Sequence, residues 1–357
     1  MNVKRLILGA VLAGFLLVSA GGGYVVHLFF QPMSRPGTTG EVRLFIPSGM
    51  TFSQVTQQLR QQQMLSHPRI YDWVARWLEA PKRIKAGEFL VSRDWTTWEV
   101  LGHLIRGKGI RHRVTIPEGL NFRQIAARLE TKDFGETDTY LALMKDPALL
   151  ARTGIAEAKT LEGFLYPETY FFSRVERPRQ ILAAMISQYR HTFTPELRAR
   201  AEELGLSEYQ ALTLASIVEK ETGMKEDRGK IAAVFHNRLR KRMLLGSDPT
   251  VIYGIAGFDG NLTRKHLRTP TPYNTYTRRG LPPTPICSPG KDSLHSALYP
   301  ENVNYLYFVA RGDGASVFSS TLKQHNKNVW YYQKVRKNRI RIRKEAQARK
   351  AKLKRNS

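Results

Sequence analysis

Residues 6–30, LILGAVLAGFLLVSAGGGYVVHLFF, contain no Lys, Arg, Asp or Glu. A helix needs about 20 apolar residues to cross the hydrocarbon core of a bilayer, so this stretch is expected to span a membrane. The competing reading is a signal peptide cleaved after Val18-Ser19-Ala20. Apolar character continues to Phe30, which favours a retained anchor. Lys4 and Arg5 precede the stretch, and the positive-inside rule leaves that stub in the cytoplasm. The expected location is therefore single-pass in a bacterial inner membrane, with the C-terminal bulk periplasmic or otherwise extracytoplasmic.

Charge and cysteine content narrow the function. The 357 residues include 56 Lys and Arg against 30 Asp and Glu, a net charge of +26. Such a chain seeks polyanions or anionic surfaces. Outside the cytoplasm those are lipid head groups and wall polymers, so nucleic acid is not expected as a partner. The single cysteine, Cys287, precludes an internal disulfide and supplies no lipidation site near the N-terminus. The nine histidines are scattered without HExxH or CxxC spacing, so neither a metal nor another cofactor is expected. No GxSxG elbow, complete P-loop or dinucleotide fingerprint occurs, which leaves carboxylate chemistry as the natural enzymatic reading.

After the Pro- and Gly-rich residues 31–41, read as a linker, comes IPSGMTFSQVTQQL. The phrase returns as IPEGLNFRQIAARL, pairing Ile46 with Ile116, Pro47 with Pro117, Gly49 with Gly119, Phe52 with Phe122, Gln54 with Gln124 and Leu59 with Leu129. Each copy reads as strand, turn and helix. Between them lie a strand ending near Val91 and a helix expected to bury Trp98, Leu101 and Ile105. Strand–helix–helix–strand–helix over residues 42–114 is a small α+β module. Residues 115–335 are mostly helical in pattern with long loops, and 336–357 form a basic tail with eleven Lys and Arg and one acid. For that tail, a solvated, disordered end stands beside docking on anionic lipid or wall polymer. Residues 1–30 are the stub and anchor, so the fold class is α+β with one N-terminal transmembrane helix.

The aromatics of LEGFLYPETYFF (161–172) read as core, and Glu168 as a loop carboxylate. Ser207 opens a helix through a capping box with Gln210, and Gly223 is expected to end it. Near that end lies ASIVEKETG. Helical stacking puts Glu219 over Ala215 and Leu212, and Glu221 over Ile217 and Leu214. Both are expected on a semi-apolar side, where desolvation raises a carboxyl pKa toward that of a general acid. Periodicity leaves the two equivalent. The next helix spaces Ile231, Val234, Phe235 and Leu239 for one buried face. From Leu244 to Gly290 the chain is rich in Pro, Gly, Thr, Asn and Tyr, a composition more apt to line a site than to hang slack.

In order, ASIVEKETG, VFHNRL, SDPTVIYG, TPYNTY and GLPPTPICSPG resemble the YceG-like family, the endolytic murein transglycosylases of the MltG type. LEGFLYPETY, the anchor and a LysM-like first module fit the same family. The resemblance runs from residue 1 to about 335 and does not include the basic tail. It implies cleavage of the MurNAc–GlcNAc bond within nascent peptidoglycan strands, leaving 1,6-anhydro-MurNAc ends and limiting strand length, with peptidoglycan synthases as candidate partners. It makes Glu219 the catalytic acid and base, with Glu221 as supporting acid. Asn237, Asp248, Thr250, Tyr253, Asn274 and Tyr276 match its motifs and suit glycan contacts, and Tyr273 suits stacking on a sugar. Asp248 and Asn274 also suit turns, and the first module also suits a bare spacer. The alternatives are a muramidase-type hydrolase and a non-catalytic peptidoglycan-binding adaptor.

Overall fold

The computed structural model describes residues 3–32, 40–65, 68–77, 79–221 and 224–355. Most of the linker and the helix-ending Gly223 lie outside them. The apolar stretch forms α1 (Val3–Phe30), whose segment Val11–Leu28 is long and apolar enough to cross a membrane. The chain divides into two compact units, one of residues 1–113 with 171–176, the other of 114–170 with 177–357.

In the first unit β1 (Glu41–Ile46) leads through the first PSG turn into α2 (Phe52–Gln61). Then come α3 (Pro68–Trp77), β2 (Gly87–Ser92) and α4 (Thr97–Arg106). β1 and β2 are antiparallel, with Glu41 opposite Ser92 and Ile46 opposite Gly87. Side chains alternate across a strand, so Leu44 and Ile46 point to one face, where they meet Val55, Leu59, Tyr71, Phe89 and Val91. In α4 the buried face is Val100, Leu101 and Leu104. Trp98 is exposed and Ile105 only partly buried, so the expected stripe was one step out of phase.

The repeat is a repeat of structure. Thr51 caps α2, with Gln54 reaching back to its backbone N–H. Asn121 caps α5 (Phe122–Glu130) with Gln124 in the same way. Each cap contributes about 1 kcal/mol to its helix. Both copies place glycine at positive φ in the turn, Gly49 at 90° and Gly119 at 78°.

β3 (His112–Thr115) and β4 (Thr169–Phe172) form a second two-stranded sheet. The second unit is chiefly helical: α5, α6 (Thr137–Leu143), α7 (Pro147–Thr153), α8 (Pro178–Thr192), α9 (Pro195–Glu203), α10 (Glu208–Glu221), α11 (Arg228–Arg240), α12 (Asp248–Tyr253), α13 (Arg264–Arg268) and α14 (Lys291–Leu298). A hairpin of β5 (Tyr307–Ala310) and β6 (Ser316–Ser319), which the helical reading overlooked, precedes α15 (Leu322–Val329) and α16 (Arg336–Arg355). The basic tail is thus largely helical.

At the centre α10, α11 and α14 pack on one another. Tyr209 and every residue from Ala211 to Val218 are buried, so α10 is apolar all round, as a core helix is. Of the aromatic cluster, Phe164, Tyr166 and Phe172 are core as expected, whereas Tyr170 is partly buried and Phe171 exposed. Phe164 stacks on Tyr209 with ring centroids 5.9 Å apart and meets Tyr189 edge-on at 5.1 Å.

Candidate active site

α10 begins at the expected cap, where Ser207 Oγ accepts from the Gln210 amide at 3.2 Å. After Glu208 in the first turn, charge returns only in the last, as Glu219, Lys220 and Glu221. At 100° per residue the two glutamates point about 200° apart, so they do not share a side. They enter different surroundings.

Glu219 turns toward the second repeat turn and the N-terminus of α14. Its Oε2 accepts from the Gly290 amide at 3.1 Å, and its side chain is 8% exposed. The Arg228 guanidinium lies 3.9 Å from Glu219, 3.9 Å from Glu118 and 3.1 Å from Asp292. Lys220 Nζ donates to the Gly119 carbonyl at 3.2 Å, and the Gly119 amide to the Ser288 carbonyl at 2.9 Å. Burial and the nearby Glu219 charge hold the Glu118 carboxyl above its ordinary range. Glu219 therefore ties three chain segments together.

Glu221 instead lines an open cavity of about 840 Å³. Its Oε1 accepts from Ser247 Oγ at 2.5 Å. Burial pushes its pKa up to about 7; the Ser247 hydroxyl opposes this, the Asp248 charge adds to it, and the Arg238 charge opposes it. Asp248, also on the wall, accepts from the Tyr276 hydroxyl at 2.6 Å. Burial, then that bond, raise the Tyr276 pKa, so the phenol stays neutral. Arg238 is held by the carbonyls of Leu306 at 2.7 Å and Leu245 at 2.5 Å and lies over the Tyr307 ring at 5.5 Å. Tyr307, Phe308 and Val309 of β5 complete an apolar wall.

The remaining residues expected to contact glycan are bonded to backbone or to other buried side chains and do not open onto this cavity. Thr250, fully buried, donates to the Ser247 carbonyl at 2.8 Å and meets Thr275 at 2.9 Å, while Thr275 receives the Ser247 amide at 2.9 Å. Asn274, also fully buried, donates to the carbonyls of His266, Leu267 and Thr269. Asn237 clamps the Val303 and Tyr305 carbonyls at 2.8 and 2.9 Å. Tyr253 donates to Glu162 at 2.8 Å, and its ring meets Tyr273, whose hydroxyl pairs with Thr284. Of the residues singled out from sequence, Glu221, Asp248 and Tyr276 share the cavity; Glu219, Asn237, Thr250, Tyr253, Tyr273 and Asn274 do not line it.

Sequence reasoning missed Ser247, Arg238 and Glu162. Ser247 stands at the head of SDPTVIYG, so its signal was present. Glu162 is fully enclosed: it accepts the Phe122 amide at 3.0 Å, at the N-terminus of α5, as well as the Tyr253 hydroxyl. Burial pushes its pKa up to about 7 against those two bonds. Burial also pushes the Cys287 thiol well up, which excludes a thiolate nucleophile there. Exposed Glu168 accepts from the Thr169 amide. Among the described residues no cluster of three or more His, Cys, Asp or Glu is arranged to hold a metal ion.

A buried helix thus presents one carboxyl of elevated pKa to an open cavity with polar and apolar walls, an arrangement suited to acid–base chemistry. Comparison with known proteins agrees in family. The YceG-like family matches residues 44–330, and the chain belongs to it. The endolytic murein transglycosylase of Bacillus subtilis is 31% identical over 326 residues, covering 86% of this chain and 89% of that protein. That of Streptococcus pneumoniae D39 is 26% identical, and the match spans 63% of its length. The crystal structure of a YceG-like protein from Listeria monocytogenes superposes with a TM-score of 0.56 at 32% identity, covering 80% of this chain and 98% of that one.

Proposed function

We propose that this protein is an endolytic peptidoglycan lytic transglycosylase whose acid–base group is Glu221. The observation that carries the reading is that Glu221, with a pKa of about 7, is the glutamate of VEKE that lines the 840 Å³ cavity. Near neutral pH such a carboxyl is partly protonated and can give its proton to the glycosidic oxygen between MurNAc and GlcNAc as that bond breaks. The resulting carboxylate then takes the proton of the MurNAc C6 hydroxyl as its oxygen bonds to C1. A 1,6-anhydro end forms, the proton is restored to Glu221 and no water is consumed. Ser247 orients the carboxyl, and Asp248 holds up its pKa.

The family resemblance ranks Glu219 first, and Glu219, beside Arg228 and the Gly290 amide, stands as the alternative acid–base group; the cavity and the elevated pKa support Glu221. Asn237, Thr250, Tyr253, Tyr273 and Asn274 then act by shaping the cavity. Asp248 favours a second reading, a muramidase in which two carboxylates flank the bond. Mass analysis of products from purified strands separates the two: anhydro ends support the transglycosylase, and reducing ends overturn it.

The proposed organisation is an anchor (1–30), a linker (31–41), a LysM-like module (42–114), a catalytic domain (115–335) and a basic tail (336–357). The β1–α2–α3–β2–α4 order and a cavity of about 250 Å³ beside Pro47, Ser48 and Gly49 support a glycan-holding role for the module. Lys4 and Arg5, in the first turn of α1 ahead of its apolar segment, support a bacterial inner-membrane protein with its catalytic part outside the cytoplasm. There nascent strands and the synthases that make them would be at hand, and cleavage would limit strand length.

A further inference from the structure

The same cavity carries charge that glycan alone does not require. Lys241 and Arg242 follow α11, Arg279 lies beside Leu244 through a backbone bridge, and all three exposed side chains line the wall. Among the described residues none has a carboxylate within 4.0 Å. The cavity's own acids do not pair with them: Glu221 accepts from Ser247 and Asp248 from Tyr276, and among the described residues neither forms an ion pair with these cations. With Arg238 the wall holds four cations against two carboxyls, one of which titrates near neutrality.

Arg242, at φ +53°, is the left-handed residue of the turn that ends α11, where its amide donates to the Leu239 carbonyl at 3.0 Å and the Met243 amide to the Arg238 carbonyl at 2.8 Å, which fixes the backbone its side chain leaves from. The sugar rings of a peptidoglycan strand are uncharged. Its anionic groups are the carboxylates of the peptides carried on each MurNAc and, at a lipid-linked end, a diphosphate.

We infer that Lys241, Arg242 and Arg279 form a subsite for the stem-peptide carboxylates of the strand, so that the cavity selects peptide-bearing glycan over bare glycan. The inference rests on the proposed function and adds the chemical class of the bound strand. The four cations answer carboxylates spread along a chain, and the apolar wall of Tyr307, Phe308 and Val309 gives the sugar and peptide faces a surface to pack on. Rim cations of this kind act mainly on association and its salt dependence.

The test uses the full chain in detergent and strands freed of lipid diphosphate by mild acid. Three strand preparations are compared: native, with stem carboxylates amidated, and with peptides removed by an amidase and the lactyl carboxylates this frees then amidated. A fourth retains the lipid diphosphate. The variant is Lys241→Gln, Arg242→Asn, Arg279→Gln, with Asn chosen because it tolerates left-handed backbone. Binding of the same strands to the Glu221→Gln chain is measured in parallel, so the subsite is read even without turnover.

The expected result is kcat/KM on native strands about tenfold above that on amidated or bare strands. The variant should lose that advantage, keep its rate on bare strands, and show a weaker salt dependence. Equal cleavage and binding of native and amidated strands overturn the inference while leaving the function intact. A variant effect confined to lipid-ended strands assigns the subsite to diphosphate and also overturns it. No cleavage of any strand refutes the proposed function, and the binding arm then decides the subsite alone.

Discussion

Glu162 offers a quantitative test of how the second unit is held together. The carboxyl is fully buried, receives the Phe122 amide and the Tyr253 hydroxyl, and has its pKa moved from 4.5 to about 7. At about 1.4 kcal/mol per pH unit, the fold favours the neutral carboxyl by roughly 3 kcal/mol. The folded chain therefore binds more protons than the unfolded chain between pH 4.5 and about 7, and stability falls as pH rises through that window. Glu162→Gln keeps the acceptor facing the Phe122 amide and removes the charge. Its stability relative to wild type should rise by roughly 3 kcal/mol from pH 4.5 to 8.5. Urea unfolding of both full chains in detergent, followed by tyrosine near-ultraviolet dichroism, measures this difference and cancels the parallel contribution of Glu221. If Glu162→Gln loses as much stability across that range as wild type, the carboxyl is ionised in the fold and the reasoning fails.

Glu221 must be protonated to act as acid, so kcat/KM should fall as pH rises through about 7. Asp248→Asn removes a charge that raises that pKa and should move the decline to lower pH, read from pH–rate profiles. Asn274→Ala removes the fully buried amide that donates to the carbonyls of His266, Leu267 and Thr269 and should cost about 1–3 kcal/mol, measured by urea titration. Gly163, at φ +85°, has no room for a side chain, since a Cβ would lie 2.6 Å from Pro285 Cβ. Gly163→Ala should lower stability by at least about 2 kcal/mol in the same titration.

Local chemistry made the scaffold legible. The two IPxG phrases announced the capped helices α2 and α5, and Ser207 with Gln210 announced the start of α10, because such caps are set by residues three apart. The β5–β6 hairpin was less legible, since each strand spans only four residues and too few alternations separate it from loop. Trp98 was misplaced because aromatic bulk was weighed above phase. At the site, motif content identified the right neighbourhood but not the direction of each side chain. Asn274 and Thr250 carry the same polar groups whether they face a ligand or a backbone, and only the fold turns them inward. The distinction between Glu219 and Glu221 was within reach, as a two-residue step is nearly half a turn away. What lay beyond sequence was which half faces Ser247 and the cavity, because Ser247, Tyr276 and Tyr307 arrive from distant segments.

The most direct test compares wild type, Glu221→Gln and Glu219→Gln on purified peptidoglycan strands, with products weighed and melting curves confirming that each chain folds. The account predicts anhydro-ended products from wild type and a loss of at least about 100-fold in Glu221→Gln, whereas Glu219→Gln should retain cleavage within roughly tenfold. Full activity in a folded Glu221→Gln chain, with activity abolished in a folded Glu219→Gln chain, would contradict it.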